Sequence, residues 1–590
     1  MLPWSPHPSL LALSLFASSQ ASILSFDYII IGGGTSGLVV ASRLSEVSHI
    51  NVAVIEAGDS VFSNPNVTDL NKFTAALGTE IDWQYESTEQ KYAGRGKIAY
   101  HGGKALGGTS TINGMTYIRA EKAQIDSWGI IGNRGWNWES LLPYYEKSEQ
   151  FVVPTVAQTE AGASYVPSDH GEKGLLKVGY SYGLLNGSFV DEVEASWSTL
   201  GISHNPDSNG GHVRGFTVWQ STLDREANVR EDAARAYYYP FQSRPNLHVF
   251  LKTTANKIIW KDSTEIIADG VEITSANGTV SMLKAKKEVI VSAGSLRSPA
   301  ILELSGIGNP GILSKYGIPL KVPLPGVGEN LQDQPNTAIT LQAQRAFNGT
   351  MAYATFGSLA DIRINLPSSS SLKLWASTVS AAINSSLPAT SLYQLFQIQY
   401  ALLSRGVPDA ETIIGTTMNF GLGPSGVVGS AFWLLMPFSR GSVHIASTDP
   451  KLYPDINPNF FLVDFDLEVQ IAIAKWTREF WDTDHMRGMV TELSPGFEAL
   501  PRNATDEEWG DWVKGSFSSN SHPLGTASMM SRELGGVVDS RLKVYGTKNI
   551  RVVDASVMPF QVSGHLTSTL YAMAEKAADL IKEDLLNVKL

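Results

Sequence analysis

The N-terminal part of the chain alternates between apolar runs and glycine-rich or polar breaks. Residues 26–31 are mostly apolar and rich in β-branched side chains, as in a strand that is buried on both faces of a parallel sheet. Residues 32–37 are glycine-rich, and apolar residues then recur at helical spacing over 38–46. A second buried run, 51–58, follows. This pattern predicts a complete β-α-β unit.

The glycine-rich turn of this unit has the spacing G-x-G-x-x-G, at Gly32, Gly34 and Gly37. In such a loop the first glycine makes the turn and the second lets the backbone approach a pyrophosphate, while the third lets helix and strand pack closely. The helix start offers unpaired N–H groups and a positive dipole end to phosphates. Glu56 ends the second strand, where it can accept hydrogen bonds from ribose hydroxyls. The order of these elements predicts dinucleotide binding.

The pattern changes several times further along the chain. The stretch from about 150 to 245 is mixed and loop-rich. Residues 331–435 contain Ser- and Ala-rich helical pieces, and no residue there points to a particular chemistry. From Met436 the chain alternates again. The clearest other elements are predicted strands at 247–260, 288–294 and 549–553 and an amphipathic last helix at 569–586.

The first residues favour a secretory signal peptide at 1–21. An apolar stretch, 10–17, precedes Ser19-Gln20-Ala21, which has a small-x-small cleavage pattern. The alternative is a disordered or buried N-terminal segment, since the stretch is too short to span a bilayer and no Lys or Arg precedes it. We expect a secreted protein without a membrane span. Six N-x-S/T triplets fit this route, at Asn66, Asn186, Asn277, Asn348, Asn384 and Asn503.

Composition excludes several classes of protein. The net charge is −12, and an acidic surface repels a phosphate backbone, so we expect no nucleic-acid binding. The chain has no Cys, which removes disulfides, thiol nucleophiles and Cys-ligated metals. No His, Asp or Glu spacing indicates a metal site. At 590 residues the chain is too long for one ordinary core, so two or more domains are expected.

Further stretches resemble the signatures of the glucose-methanol-choline (GMC) oxidoreductases. Residues 103–117 are similar to the first signature of that family, and residues 294–308 to the second. The segment SHPLGTASMM (521–530) is similar to one of its closing segments. The resemblance runs from about Phe26 to Leu586 with every motif in order. The remaining closing segments read GGVVDSRLKVYG, IRVVDASVMPF and SGHLTSTLYAMAEKAADLI.

The resemblance implies a fold of mixed α/β and α+β class. A Rossmann-like FAD-binding domain would be combined with a substrate domain built on a mostly antiparallel sheet and helices. The N-terminal FAD-binding region would cover 22–330, with a substrate-domain insertion at about 150–245. A further substrate-domain segment would cover 331–435. The C-terminal region, 436–590, would carry the catalytic histidines and close the FAD domain.

The cofactor contacts of the family carry over by position. Thr35 and Ser36 would lie at the pyrophosphate and Glu56 at the adenosine ribose. Some relatives attach FAD covalently through a His just before the Asn of the first signature, but this chain has Ile112 there. We therefore expect FAD to be bound noncovalently. With the three glycines, the remaining expected contacts are Ala57, Thr109, Asn113, Gly114, Met115, Thr116, the backbone of Ala255, Asp554, Ala555, Leu566 and Thr567.

His522 and His565 match the catalytic pair of the family. There, one imidazole accepts the hydroxyl proton of an alcohol while the C–H hydride passes to flavin N5. The second histidine hydrogen-bonds the same oxygen and stabilises the developing alkoxide. Histidine suits this work because its ordinary pKa is near neutrality. Relatives differ in which histidine is the base, and we favour His522.

The closing segments look most similar to the secreted fungal branches of the glucose oxidase, aryl-alcohol oxidase and patulin synthase types. Glucose oxidases have an Arg four positions before the first histidine and a Tyr just before it, where this chain has Ser518 and Ser521. A site that binds hydroxyls needs donors placed for them, which argues against glucose. We expect a primary or secondary alcohol of aryl, furanic or secondary-metabolite type. The electron acceptor would be O₂ or a quinone.

Two other readings stay open. Some members of the family hold FAD yet catalyse no net redox reaction and act as lyases or cyclases in secondary metabolism. The other reading is a catalytically silent flavoprotein, which the presence of both histidines disfavours. Trp433 is more typical of a core residue than of a substrate contact.

Overall fold

The computed structural model describes residues 24–70, 72–94, 96–185, 189–344, 353–416 and 426–587. The expected signal peptide and the triplets at Asn186 and Asn348 lie outside these ranges. Within them, no helix has the length and apolarity to cross a membrane. The helices are Thr35–Ser45, Pro65–Thr68, Lys122–Trp128, Trp138–Ser148, Val156–Glu160, Val190–Thr199, Ala233–Tyr237, Ser298–Leu304, Pro310–Lys315, Ser369–Ala382, Ala389–Ser404, Asp464–Trp481, Asp506–Ser516 and Leu566–Asn587.

The predicted β-α-β unit forms the centre of a seven-stranded sheet. Ser25–Ile31 and Val52–Ile55 pair in parallel, and the helix Thr35–Ser45 connects them. Val52–Ile55 is fully buried, because neighbouring strands and helices cover it on all sides. The predicted unit is thus confirmed. The other strands of this sheet are Leu247–Phe250, Thr254–Trp260, Ala268–Thr274, Val280–Val291 and Ile550–Val552.

A second seven-stranded sheet is antiparallel at each of its pairings. The long helix Asp464–Trp481 packs against it, with Trp476 and Phe480 in ring contact with Trp197. The mostly antiparallel substrate sheet expected from the sequence is confirmed. Its strands are Gly215–Val218, Pro335–Ala343, Tyr353–Gly357, Ala410–Thr416, Val427–Leu434, Val490–Ser494 and Ser518–Ser519.

Smaller sheets join these two layers. Thr116–Tyr117, from the first signature, pairs with Gln220–Asp224, which belongs to the loop-rich insertion. The insertion therefore contributes to a linking sheet as well as to the antiparallel sheet. The remaining strands are Tyr85–Glu86, Ala99–Tyr100, Glu149–Val152, Leu176–Gly179, Val229–Arg230, Ile307–Gly308, Val322–Pro323, Glu329–Leu331, Gly441–His444 and Asp455–Asn457.

Residues 331–435 contain strands as well as the predicted helical pieces. Two helices are present there, Ser369–Ala382 and Ala389–Ser404, but four strands of the antiparallel sheet also come from this stretch. One of them, Val427–Leu434, is buried at every position. A strand covered on both faces shows no alternation of apolar and polar residues, so its period cannot be read from the sequence.

Two hydrophobic cores lie against the two large sheets. One contains the apolar faces of the parallel strands and of the first and last helices, including Leu38, Val54 and Ile581. The other surrounds the antiparallel sheet and includes Phe432 and Trp476. Each of the two large sheets is therefore stabilised by its own hydrophobic core.

A fully buried network of charges lies where the linking sheet meets the first signature. Arg119 Nη2 donates to Glu149 Oε2 over 2.7 Å, and both side chains are completely buried. His170 contacts Glu149 Oε1 at 3.0 Å and Asp207 Oδ2 at 2.8 Å. Burial lowers the pKa of His170, but the hydrogen bonds to Asp207 and Glu149 outweigh it and raise the pKa to about 9. Each buried charge in the network therefore has a partner.

Candidate active site

A cleft of about 660 Å³ extends from the parallel sheet to the antiparallel sheet. Both histidines and all but one of the expected cofactor contacts line it. The exception is Gly37, where an added Cβ would lie 2.0 Å from the carbonyl oxygen of Gly32. Gly37 thus allows close packing of the first helix on the turn and does not face the cleft. The expected contacts that line it are Gly32, Gly34, Thr35, Ser36, Glu56, Ala57, Thr109, Asn113, Gly114, Met115, Thr116, Ala255, Asp554, Ala555, Leu566 and Thr567.

The glycine turn leaves the start of the first helix open to the cleft. Gly32 has a φ of +111°, and a Cβ there would lie 2.2 Å from the carbonyl oxygen of Ser292. Gly34 is the N-cap of the helix, and no described side chain hydrogen-bonds to the N–H groups there. These groups and the helix dipole can therefore receive a pyrophosphate.

Glu56 holds this turn in place from the end of the second strand. Its Oε2 accepts from Gly33 N over 2.9 Å, and its Oε1 accepts from Gly58 N over 2.7 Å. Burial raises the pKa of Glu56 to about 7, although both backbone N–H groups oppose that rise. The carboxyl also faces the cleft, so it can accept hydrogen bonds from ribose hydroxyls.

The first signature folds directly against the glycine turn. Gly108 has a φ of +56°, and a Cβ there would lie 2.6 Å from the Cα of Gly34. Asn113 connects the signature to the last helix, because its Nδ2 donates to Thr567 Oγ1 over 3.2 Å. Arg230, which the sequence analysis did not single out, donates from Nη1 to Asn113 Oδ1 over 2.7 Å. The Asn113 amide is thereby fixed from both ends.

Asp554 joins the second signature to a closing segment. Its Oδ2 accepts from Gly294 N over 2.8 Å and from Ser298 Oγ over 2.5 Å. Burial raises its pKa above the ordinary value. These contacts and the exposed backbone at Gly34 and Gly108 form one long polar groove. The hydrogen-bond donors and the shape of this groove fit an extended dinucleotide such as FAD.

The two predicted histidines meet at the other end of the cleft. Their ring centroids are 5.4 Å apart and the rings are nearly perpendicular, at 84°. His522 follows the short strand Ser518–Ser519, and His565 immediately precedes the last helix. Burial and the neighbouring His565 lower the pKa of His522 to about 3. His522 is therefore neutral near neutral pH, as a base must be.

Glu411 is hydrogen-bonded to His565. The sequence did not single out this carboxylate. His565 Nε2 lies 2.9 Å from Glu411 Oε1, and the Glu411 side chain is completely buried. The backbone N–H of His565 donates to Ile118 O over 3.1 Å. The signal for Glu411 was a lone carboxylate within the apolar strand Ala410–Thr416, where a charged side chain requires a partner.

Asp333, also missed, holds the backbone of His522. Its Oδ1 accepts from His522 N over 3.0 Å, and its Oδ2 accepts from Ser519 Oγ over 2.5 Å. Burial raises the pKa of Asp333 to about 6, against these hydrogen bonds. On the other side of the loop, Gln561 Nε2 donates to His522 O over 2.7 Å. The histidine is thus held from two sides.

The wall beside the histidines comes from one face of the antiparallel sheet. Strand register places Trp433 between Asn336 and Glu411, with Ala431 opposite Ile413 in the next row. Glu411 is hydrogen-bonded to His565 and does not line the cleft. The cleft-lining residues of the central strands are therefore apolar except for Asn336, and the edge strand adds the small hydroxyls of Ser518 and Ser519.

Trp433 is both a core residue and part of the cleft. It is 2% exposed, and its ring centroid lies 6.1 Å from that of His565 in an edge-on contact. Ser518 and Ser521 also line the cleft. A serine side chain ends in a short hydroxyl, so neither residue can offer a substrate the charged group of an Arg or the phenol of a Tyr.

Comparison with known proteins identifies the family. Two family models described as GMC oxidoreductase match residues 26–336 and 437–574. The chain belongs to the GMC oxidoreductase family. Members of this family are FAD-dependent oxidoreductases that act on CH–OH donors, and this chain is one of them. The family, the fold and the cofactor expected from the sequence are confirmed.

Several relatives of this GMC oxidoreductase cover nearly the whole chain. The glucose oxidase-like protein fsoC of Humicola fuscoatra is 46% identical over 588 residues, covering 97% of this chain and 98% of the relative. A glucose oxidase of Penicillium chrysogenum is 37% identical over 572 residues, covering 95% and 92%. The solved structure of a FAD-dependent oxidoreductase from Chaetomium thermophilum superposes with a TM-score of 0.84 at 31% identity, covering 95% and 99%.

Gly108→Ala should greatly reduce FAD binding. Residue 108 has a positive φ, which residues with a side chain rarely adopt. The added Cβ would also lie only 2.6 Å from the Cα of Gly34 in the glycine turn. The ratio of flavin absorbance to protein absorbance in the purified variant measures the effect. Gly129→Ala is the matched control, because its Cβ would lie 3.9 Å from the nearest atom. Normal flavin content in Gly108→Ala would contradict the proposed groove.

Proposed function

We propose that this GMC oxidoreductase oxidises a primary or secondary alcohol of aryl, furanic or secondary-metabolite type rather than glucose. The observation that carries the proposal is a neutral, partly buried His522 facing His565 beside an apolar wall. FAD, when bound, supplies the acceptor for the hydride that leaves the alcohol carbon. The side chains of the cleft supply orientation, proton transfer and exclusion of water.

His522 is proposed as the base and His565 as its partner. A neutral imidazole with one unprotonated nitrogen can take the hydroxyl proton directly. His565 Nε2 is engaged by the Glu411 carboxylate, so Nδ1 is the ring nitrogen available to the substrate oxygen. With a proton on both ring nitrogens, a charge that the carboxylate balances, Nδ1–H would donate to the developing alkoxide while His522 takes the hydroxyl proton. The two rings would thus hold one oxygen between them and orient the C–H bond of the alcohol.

The proposed residues for holding FAD are those of the groove. The glycine turn and the helix start would receive the pyrophosphate, and Glu56 the adenosine ribose. Ile112 is buried and offers no nucleophile for a covalent link to the flavin. Noncovalent binding is therefore the proposal for this chain.

The preference against glucose rests on the wall of the cleft. Ile413, Ala431 and Trp433 present apolar surface, and Asn336 is already bonded to Asn520 at 2.9 Å. A pyranose has several hydroxyls that lose their water on binding, and each needs a protein partner. An aromatic or furan ring needs only apolar contact, which Trp433 and its neighbours offer.

A panel of alcohols tests the proposal. The flavin-loaded protein should bleach rapidly and anaerobically with benzylic or furanic alcohols and slowly or not at all with glucose. Reoxidation with O₂ and with a quinone then identifies the electron acceptor. Fastest bleaching by glucose would overturn the substrate assignment, and it would agree with the glucose oxidase relatives. A flavin that no alcohol reduces would favour the lyase or cyclase chemistry instead.

We also propose passage through the secretory pathway. The supporting observations are the apolar N-terminal stretch and the exposure of three sequons, at Asn277, Asn384 and Asn503. Expression in a fungal host, followed by enzymatic deglycosylation of the culture medium, checks it. A protein that stays inside the cells and shows no mass shift contradicts the proposal.

A further inference from the structure

The imidazole of His522 meets two amide side chains at a single nitrogen. His522 Nδ1 lies 2.8 Å from Gln334 Oε1 and 3.1 Å from Asn520 Nδ2. Asn520 Nδ2 also donates to Gln334 Oε1 over 3.0 Å, so the three atoms form a triangle. Nδ1 of a neutral imidazole either donates or accepts, and it cannot do both. The triangle therefore discriminates between the two tautomers.

The orientation of the Gln334 amide is set from its other end. Gln334 Nε2 donates to Leu435 O over 3.1 Å, and the side chain is 1% exposed. Turning the amide over would bring Oε1 against the Leu435 carbonyl and its NH₂ group against that of Asn520. Oε1, an acceptor, thus faces His522.

We propose that Gln334 is a positioning residue that holds the Nδ1–H tautomer of His522, which keeps the lone pair on Nε2. In this tautomer Nδ1–H donates to Gln334 Oε1 over 2.8 Å, the shortest of the three distances. In the other tautomer, with Asn520 donating to Nδ1, two acceptors would lie 2.8 Å apart. The inference rests on the proposed role of His522 as the base, and it assigns the reacting atom to Nε2.

The same arrangement suits the protonated state. When Nε2 takes up the hydroxyl proton, the Nδ1–H bond to Gln334 is retained, so no side chain has to turn during the reaction. The titratable groups around His522 are His565, at a centroid distance of 5.4 Å, and Asp333, which accepts the backbone N–H. Glu411 acts through His565, and Tyr100 through Asp333. None of these groups contacts the triangle at Nδ1, so substitutions at Gln334 test it separately.

Gln334→Leu should lower the rate constant of flavin reduction by about 10- to 100-fold, part of what a general base contributes. Asn520 is then the remaining partner of Nδ1, and by donating to it moves the proton to Nε2. The double variant Gln334→Leu/Asn520→Leu should recover part of the rate, because it removes that donor as well. Gln342→Leu, at the exposed end of the following strand, is the control. A merely structural role would make the double variant slower than the single one.

Gln334→Glu should keep most of the rate, since a carboxylate also accepts from Nδ1–H. A negative charge there stabilises the imidazolium, so the acid limb of the kcat/KM profile should shift to higher pH. An unshifted acid limb, together with a double variant slower than Gln334→Leu, would overturn the proposal.

A spectroscopic measurement tests the tautomer without relying on turnover. In the flavin-loaded protein with ¹⁵N-labelled histidine, the His522 signals are assigned by their loss in His522→Asn. We expect a protonated-type shift for Nδ1 and an unprotonated-type shift for Nε2, exchanged in Gln334→Leu. A protonated Nε2 in the unsubstituted protein would overturn the inference. If no alcohol reduces the flavin, the proposed function fails, while the spectrum still decides the tautomer.

Discussion

His522→Ala should lower the rate constant of flavin reduction by an alcohol about 10²- to 10⁴-fold, with FAD still bound. The substitution removes the neutral imidazole that would take the hydroxyl proton, while the dinucleotide groove at the other end of the cleft stays intact. The rate is measured anaerobically by stopped-flow absorbance at saturating alcohol. Flavin content, measured in parallel, separates a loss of chemistry from a loss of cofactor.

His49→Ala is the matched control for that experiment, because His49 is exposed and does not line the cleft. An unchanged rate in His522→Ala would mean that the base lies elsewhere, and His565 would then be the next candidate. The pH dependence gives a second check. The neutral form of His522 is the active base, and its pKa is lowered to about 3, so the rate should not fall as the pH drops from 7 to about 5.

The sequence alone predicts the β-α-β unit that forms the cofactor end of the cleft. The glycine spacing, the buried strands and Glu56 are local features, and each has a physical reason that can be read within thirty residues. Even there, Gly37 has the packing role that the motif gives its third glycine, and its place among the expected cofactor contacts was wrong because it does not line the cleft. The histidine pair was identified only through its resemblance to a family, since eleven histidines are present and none is marked by its neighbours.

The environment of the histidines was beyond the reach of the sequence. Glu411 lies 154 positions from His565, and Gln334 lies 188 positions from His522. Their contacts are set by the register of the antiparallel sheet and by the loop that Asp333 holds. A residue whose role depends on such long-range pairing has no local pattern. For this reason residues 331–435 show no chemistry in the sequence, although they supply the apolar wall beside the histidines and the carboxylate that is hydrogen-bonded to His565.

Arg119→Met should destabilise the protein by about 3–5 kcal/mol in free energy of unfolding, the range found when one partner of a buried ion pair is removed. Glu149 would remain fully buried, with His170 as its other ionic partner. Denaturant titration of the flavin-loaded protein measures the change. Arg363→Met is the matched control, because the Arg363–Glu479 pair is exposed and such pairs contribute about 0–1 kcal/mol.

The same variant connects stability to the site. Arg119 directly follows Ile118, whose carbonyl accepts from the backbone N–H of His565 over 3.1 Å and from Ser568 Oγ over 2.9 Å. Loosening this segment would release the loop that carries His565, so flavin reduction in Arg119→Met should weaken at denaturant concentrations too low to unfold the protein. Equal denaturant midpoints for Arg119→Met and Arg363→Met would mean that Glu149 finds sufficient compensation in His170. Undiminished flavin reduction in Arg119→Met below the unfolding transition would mean that the buried network does not hold His565.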